Sequence, residues 1–230
     1  YHLAHTEAAR PLPLAFGGEA QPRDYARAMA DGALLALVAT LGLLQLGHET
    51  TPELLQLLGA GAFLYGMAAM DQHPRQAACA ALLSLPILAA SGSPTIAQGL
   101  GAVGLLVCWR SHHPNRTRQM AFVALAMVLA AAVTGGLVLQ DSARWGWKLS
   151  DQLQVANFAQ LLLWFTWPAL PLALLTLWHW RRQWQRRHMA VPLLITVFVL
   201  MASLLMGADQ QALLLALPAL AVLAAFALPI

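Results

Sequence analysis

Gly47-His48-Glu49-Thr50-Thr51-Pro52-Glu53 is a short polar link between two long apolar runs, Ala28 to Leu46 and Leu54 to Met70. A helix needs about 20 mostly apolar residues to cross a bilayer, so each run predicts one crossing. A link this tight predicts that the two helices lie antiparallel. It brings one imidazole and two carboxylates to one membrane surface. Thr51 suits an N-cap, Pro52 the first helical position and Glu53 the first turn. Two readings therefore stand side by side: a capped helix start, or a site lined by His48, Glu49 and Glu53.

The rest of the chain supports a membrane setting. Of 230 residues, 59% are hydrophobic and only 10% are charged, against roughly 25% charged in soluble domains. The alternation of apolar and polar residues that barrel strands show over about 10 positions is absent. The expected fold class is therefore all-α, a polytopic transmembrane helical bundle of about eight spans. The spans fall at about 28–47, 53–70, 76–91, 94–110, 118–139, 158–180, 189–206 and 211–229. Residues 1–27, with prolines at 11, 13 and 22, read as a juxtamembrane loop with a helix beginning near Arg23 to Arg27, and 28–230 as one transmembrane domain. The start at Tyr1, without a methionine or a signal-peptide pattern, leads us to expect a piece of a longer protein.

The basic residues orient the bundle. Arg10, Arg23, Arg27, Arg75, Arg110, Arg116, Arg118, Arg181, Arg182, Arg186 and Arg187 fall in alternate loops on one side, and only Arg144 and Lys148 on the other. Cytoplasmic loops carry such an excess of Lys and Arg. The expected location is thus a bacterial inner membrane, multi-pass, with the Glu49, Gln140–Asn157 and Asp209-Gln210-Gln211 loops facing outwards. The net charge of +3 is absorbed by topology and gives no reason to invoke nucleic acid.

Several residues have specific expected roles. Trp109, Trp178 and Trp180 sit near the inner interface, and Trp145, Trp147 and Trp164 near the outer one, where tryptophan anchors helices or stacks on a ligand. Pro168 and Pro171 should bend the sixth span. Ala62, Gly66, Gly99, Gly101 and Gly104 should permit close helix contact. Asp31 should reach the interface or Arg27. Cys79 and Cys108 should be buried small residues. His112-His113 reads as a solvated basic loop or a metal-binding pair. No HExxH, GxSxG, GxxxxGK or paired-acid motif occurs.

Three stretches carry a resemblance. Leu161 to Gln183, LLLWFTWPALPLALLTLWHWRRQ, resembles a late segment of bacterial polyprenyl-phosphate-dependent glycosyltransferases of the aminoarabinose-transferase and protein-mannosyltransferase (GT-C) group. Asp24 to Leu58 is similar to an earlier part of these proteins, where a His–acid turn joins two spans, and Leu213 to Ala225 is similar to a late helix. The resemblance covers the central to carboxy-terminal portion of such enzymes. It implies transfer of a sugar from a polyprenyl-phosphate donor in the membrane lipid to a lipid, glycan or protein at the periplasmic face. The family's acidic catalytic loop lies ahead of the matching region, so no catalytic residue is carried over. His48, Glu49 and Glu53 then become candidates to orient the sugar or ligate a divalent cation. Arg144 and Lys148 become candidates to meet the donor phosphate, or remain ordinary loop charges. Asp209-Gln210-Gln211 stands where several relatives have a basic residue, so the resemblance implies no phosphate contact there. The competing expectation is a non-enzymatic transporter or membrane assembly subunit, which would bury ionisable or broken-helix sites near mid-membrane.

Overall fold

A computed structural model describes residues 22–46, 52–111, 114–139, 155–181, 187–206 and 210–227. These residues form helices and turns, with no strand among them. The helices are α1 (Pro22–Val38), α2 (Leu41–Leu46), α3 (Pro52–Ala69), α4 (Pro74–Ala90), α5 (Pro94–Arg110), α6 (Arg116–Leu139), α7 (Val155–Phe165), α8 (Ala169–His179), α9 (Arg187–Leu205), α10 (Gln210–Leu214) and α11 (Leu217–Ala225).

Each of the eight expected segments contains helix, in the expected order. Their ability to cross a membrane differs. Among the described residues only Arg116–Val138 and His188–Leu205 are long and apolar enough on their own. A third crossing results if α7 and α8, bent by 97°, count as one. α4 and α5 each have 17 residues, just under the ~18 apolar residues at which a stretch reads as a crossing. α3 has 18 but carries Glu53 and Gln56 among them. The first and last segments are divided, at Ala39-Thr40 and at Leu215-Ala216. The first helix begins at Pro22, close to the start expected near Arg23 to Arg27, and runs on into the apolar span from 28.

Small residues build the centre. On α3, Gly59, Ala60, Phe63, Gly66 and Met67 are buried at helical spacing, and α4 answers with Ala77, Ala78, Ala81, Ser84, Leu85 and Leu88. A Cβ on Gly66 would lie 3.0 Å from the Ala81 amide nitrogen and 3.1 Å from the Ala77 carbonyl oxygen. One on Gly59 would lie 2.8 Å from Leu88 Cγ and 3.2 Å from the Ser84 oxygen. The expected role of Gly66 is therefore realised, and Gly59 shares it. Such small-residue contacts let helix backbones approach closely. α6 packs on α4 and α5, α9 on α5 and α11, and α11 on α1 and α8.

Polar side chains tie the ends. Gln56 Nε2 donates to the Ser91 carbonyl at 2.9 Å, joining the start of α3 to the α4–α5 turn. That turn is tight, and Gly92 takes φ 110° there, in the left-handed region that favours glycine. At the opposite end Gln119 Nε2 donates to Asp71 Oδ1 at 2.8 Å, and Arg116 Nη1 to the Trp109 carbonyl at 3.2 Å. The α3–α4 and α5–α6 connections thus share one end, which also carries Arg75, Arg110 and Arg118.

One expectation needs correction and another narrows to one of its alternatives. Cys108 is buried, but Cys79 is exposed, because α4 turns Ala77, Ala78 and Ala81 inwards and leaves position 79 outside. Arg27 pairs with Asp24 at 3.9 Å across exposed side chains, and Asp31, also exposed, makes no ion pair among the described residues.

Candidate functional site

Glu53 stands in the first turn of α3 behind Pro52, as the polar link predicts, and is half-buried. His48, Glu49, Arg144 and Lys148 lie outside the described residues, as do Thr51, Trp145, Trp147 and His112-His113. Among the described residues no group of three or more His, Cys, Asp or Glu is placed to hold a metal ion.

One turn below Glu53, Leu57 packs on an apolar cluster of Phe165, Leu213, Leu214 and Leu217, and Phe158, Leu161 and Leu162 of α7 pack on the same cluster. The first turns of α3 therefore meet α7, the end of α10 and the start of α11 around one apolar cluster. On one face of α7, Asn157, Gln160, Leu161 and Trp164 line a shallow, wide-open groove. These positions recur at i, i+3, i+4 and i+7, the spacing of a single helix stripe. Trp164 is 61% exposed, as an anchor at the outer interface or a stacking face for a ligand would be, and Gln160 is exposed too. Amides offer both donors and acceptors, and an exposed indole offers a flat apolar face with one polar atom. Together they suit a ligand bearing hydroxyl groups on a ring.

Beneath this groove the helices break at one level. The Leu41 amide donates to the Trp167 carbonyl at 3.1 Å, so the α1–α2 and α7–α8 breaks meet. Thr40 Oγ1 donates to the Leu37 carbonyl at 2.7 Å and Thr166 Oγ1 to the Leu162 carbonyl at 2.6 Å. Pro168 stands between α7 and α8 as the expected bend demands, since it supplies no amide hydrogen to the ladder. Breaks at membrane depth are tolerated where neighbouring helices and Ser/Thr side chains satisfy the freed backbone groups, and both devices are present. The core at this level is Phe165 and leucine, without an ionisable member.

At the arginine-rich end Trp109 and Trp178 are 61% and 73% exposed. The Arg181 guanidinium lies 5.5 Å from the Trp178 ring centroid. Exposed Trp beside Arg fits the expected anchoring at that interface.

No protein-family profile, curated protein or solved structure matches the chain.

Proposed function

We propose that the chain contributes to a membrane glycosyltransferase that takes a sugar from a polyprenyl-phosphate donor at the outward, arginine-poor face. In this reading the eight apolar segments all cross a bacterial inner membrane in a GT-C-like bundle, each divided helix counted as one crossing. The observation that carries it is the Asn157–Gln160–Trp164 face of α7, whose Leu161 packs on the same apolar cluster as Leu57 of α3. Its amides and indole match the hydroxyls and the apolar face of a sugar ring. Sugar transfer from a phosphate also requires charge stabilisation at the leaving oxygen, the role the resemblance offers to Arg144 and Lys148.

The level of helix breaks favours a second reading, a transporter, because broken helices line the sites of many transporters. Against it, the core at that level is apolar, whereas such sites carry ionisable groups. The full-length protein decides between them. With a radiolabelled polyprenyl-phosphate sugar, Trp164→Ala and Glu53→Gln should each lower transfer at least ~tenfold, equivalent to a barrier rise of about 1.4 kcal/mol. Melting should stay near wild type, since a first-turn carboxylate is worth only about 0.3–1 kcal/mol. Wild-type transfer by both variants, or substrate uptake into proteoliposomes without any transfer, would discard the enzyme reading.

A further inference from the structure

A second pocket lies at the opposite, arginine-rich end, where the α3–α4 turn meets the first turns of α6. Met70 and Phe122 form part of its apolar wall, and Asp71, Asn115, Arg118 and Gln119 are its polar members. Its volume is about 60 Å³, room for a small headgroup tip where about 10–15 Å³ of such space holds one water.

Gln119 decides what the pocket accepts. It is only 5% exposed, and its Nε2 donates to Asp71 Oδ1 at 2.8 Å. An ionised carboxylate accepts hydrogen bonds and cannot donate them, so the amide orientation is fixed and Oε1 is held away from Asp71. That Oε1 is buried and meets no donor among the described residues. A buried acceptor without a donor is costly, and a ligand that brings N–H or O–H into the pocket removes the cost. The adjacent Asp71 carboxylate adds negative charge and so selects a cationic donor. Arg118 lies beside it with Cζ 5.6 Å from the Phe122 ring centroid, its exposed guanidinium ready to meet an anion. The complementary ligand has a primary ammonium tip next to a phosphodiester.

Depth points to the source. Arg118 is two residues into the apolar stretch Arg116–Val138, about 3 Å along the helix axis. Exposed Trp109, whose carbonyl accepts from Arg116, marks the same level at the end of α5, and tryptophan concentrates at the headgroup level.

We propose that this pocket binds the headgroup of an aminophospholipid, with the ammonium between Gln119 Oε1 and Asp71 and the phosphate on Arg118. The proposal requires only that the chain be embedded in a membrane and does not depend on sugar transfer. The 230-residue chain in detergent micelles is titrated with dihexanoyl phosphatidylethanolamine, phosphatidylcholine, phosphatidylglycerol and free O-phosphoethanolamine, and affinity is read from the shift in thermal unfolding. The ethanolamine lipid should bind at least tenfold tighter than the choline lipid, which keeps the charge but has no N–H. Gln119→Leu and Asp71→Asn, the second at an exposed position, should each erase that ratio. Arg118→Leu should weaken both lipids in parallel and leave the ratio intact. Equal affinity for the ethanolamine and choline lipids, or a ratio that survives Asp71→Asn and Gln119→Leu, would overturn the site. Glycerol lipid binding as tightly as the ethanolamine lipid would overturn ammonium recognition. Free phosphoethanolamine matching the lipid would overturn the lipid source.

Discussion

α3, α4, α5 and α6 run unbroken, whereas α1/α2, α7/α8 and α10/α11 are each interrupted. In the first region glycine and alanine let straight helices touch along their length, with Gly59 and Gly66 set against the backbone of α4. In the second, Pro168 removes an amide, threonine hydroxyls turn back onto carbonyls, and one interhelical bond joins two breaks. Lipid tails are as apolar as leucine, so helices in a bilayer associate through packing and hydrogen bonds rather than water exclusion. The two regions divide those means between them: packing holds the zipped helices, and polar backbone repair holds the broken ones. The amide-bearing face of α7 rises from the broken region, where the chain departs from straight helices.

The largest effect should come from filling the zipped contact. Gly66→Leu forces a side chain where even a Cβ would sit 3.0 Å from a backbone nitrogen, and the obstacle cannot rotate away as a side chain could. We expect a loss beyond the ~1–3 kcal/mol of ordinary overpacking, seen as failure to recover a cooperatively melting protein. Gly61→Leu, with nothing within 4 Å of its added Cβ, should melt like wild type. Equal behaviour of the two variants would remove the close α3–α4 contact from the comparison.

The broken region should respond next to loss of its central ring. Phe165 is 1% exposed and lies against Gly42, wedged between α2 and the cluster on α10 and α11. Phe165→Ala should cost about 3 kcal/mol through the cavity it leaves, measured by thermal or chemical unfolding in detergent. A loss well under 1 kcal/mol would mean that the broken helices are held by their hydrogen bonds alone.

How much of this was legible depends on what breaks a helix. The order of helices follows from the apolar runs and their polar links, and the α7–α8 bend from Pro168. The division of the first segment at Ala39-Thr40 has no proline or adjacent glycine to announce it. It is fixed by the Leu41–Trp167 bond, a tertiary contact between residues far apart in sequence. Glu53 was readable as a first-turn acid because Pro52 precedes it. The α7 face was not, because a segment taken to begin at 158 leaves out Asn157; the stripe emerges only when the helix starts at Val155. A search for amides and aromatics at i, i+3 and i+7 would have found it. Gln119 was equally hidden, since a lone glutamine near a run of arginines reads as surface until Asp71 is brought beside it.

The smallest effect separates the two regions most finely. Thr166 and Thr134 make the same local bond, each hydroxyl donating to the carbonyl four residues earlier, at 2.6 Å and 2.9 Å. Such back-bonding tends to bend a helix. At the end of α7 a bend is required, since the chain turns by 97° into α8. Thr134 sits within α6, which continues to Leu139 without interruption, so the same bond works against a straight ladder. Thr166→Val should therefore lose about 1 kcal/mol, the usual net worth of one such bond, while Thr134→Val should be neutral or slightly stabilising. Unfolding of the two valine variants in parallel measures the difference. Equal losses would show that threonine serves both regions alike, and that the bend in α7 owes nothing to its hydroxyl.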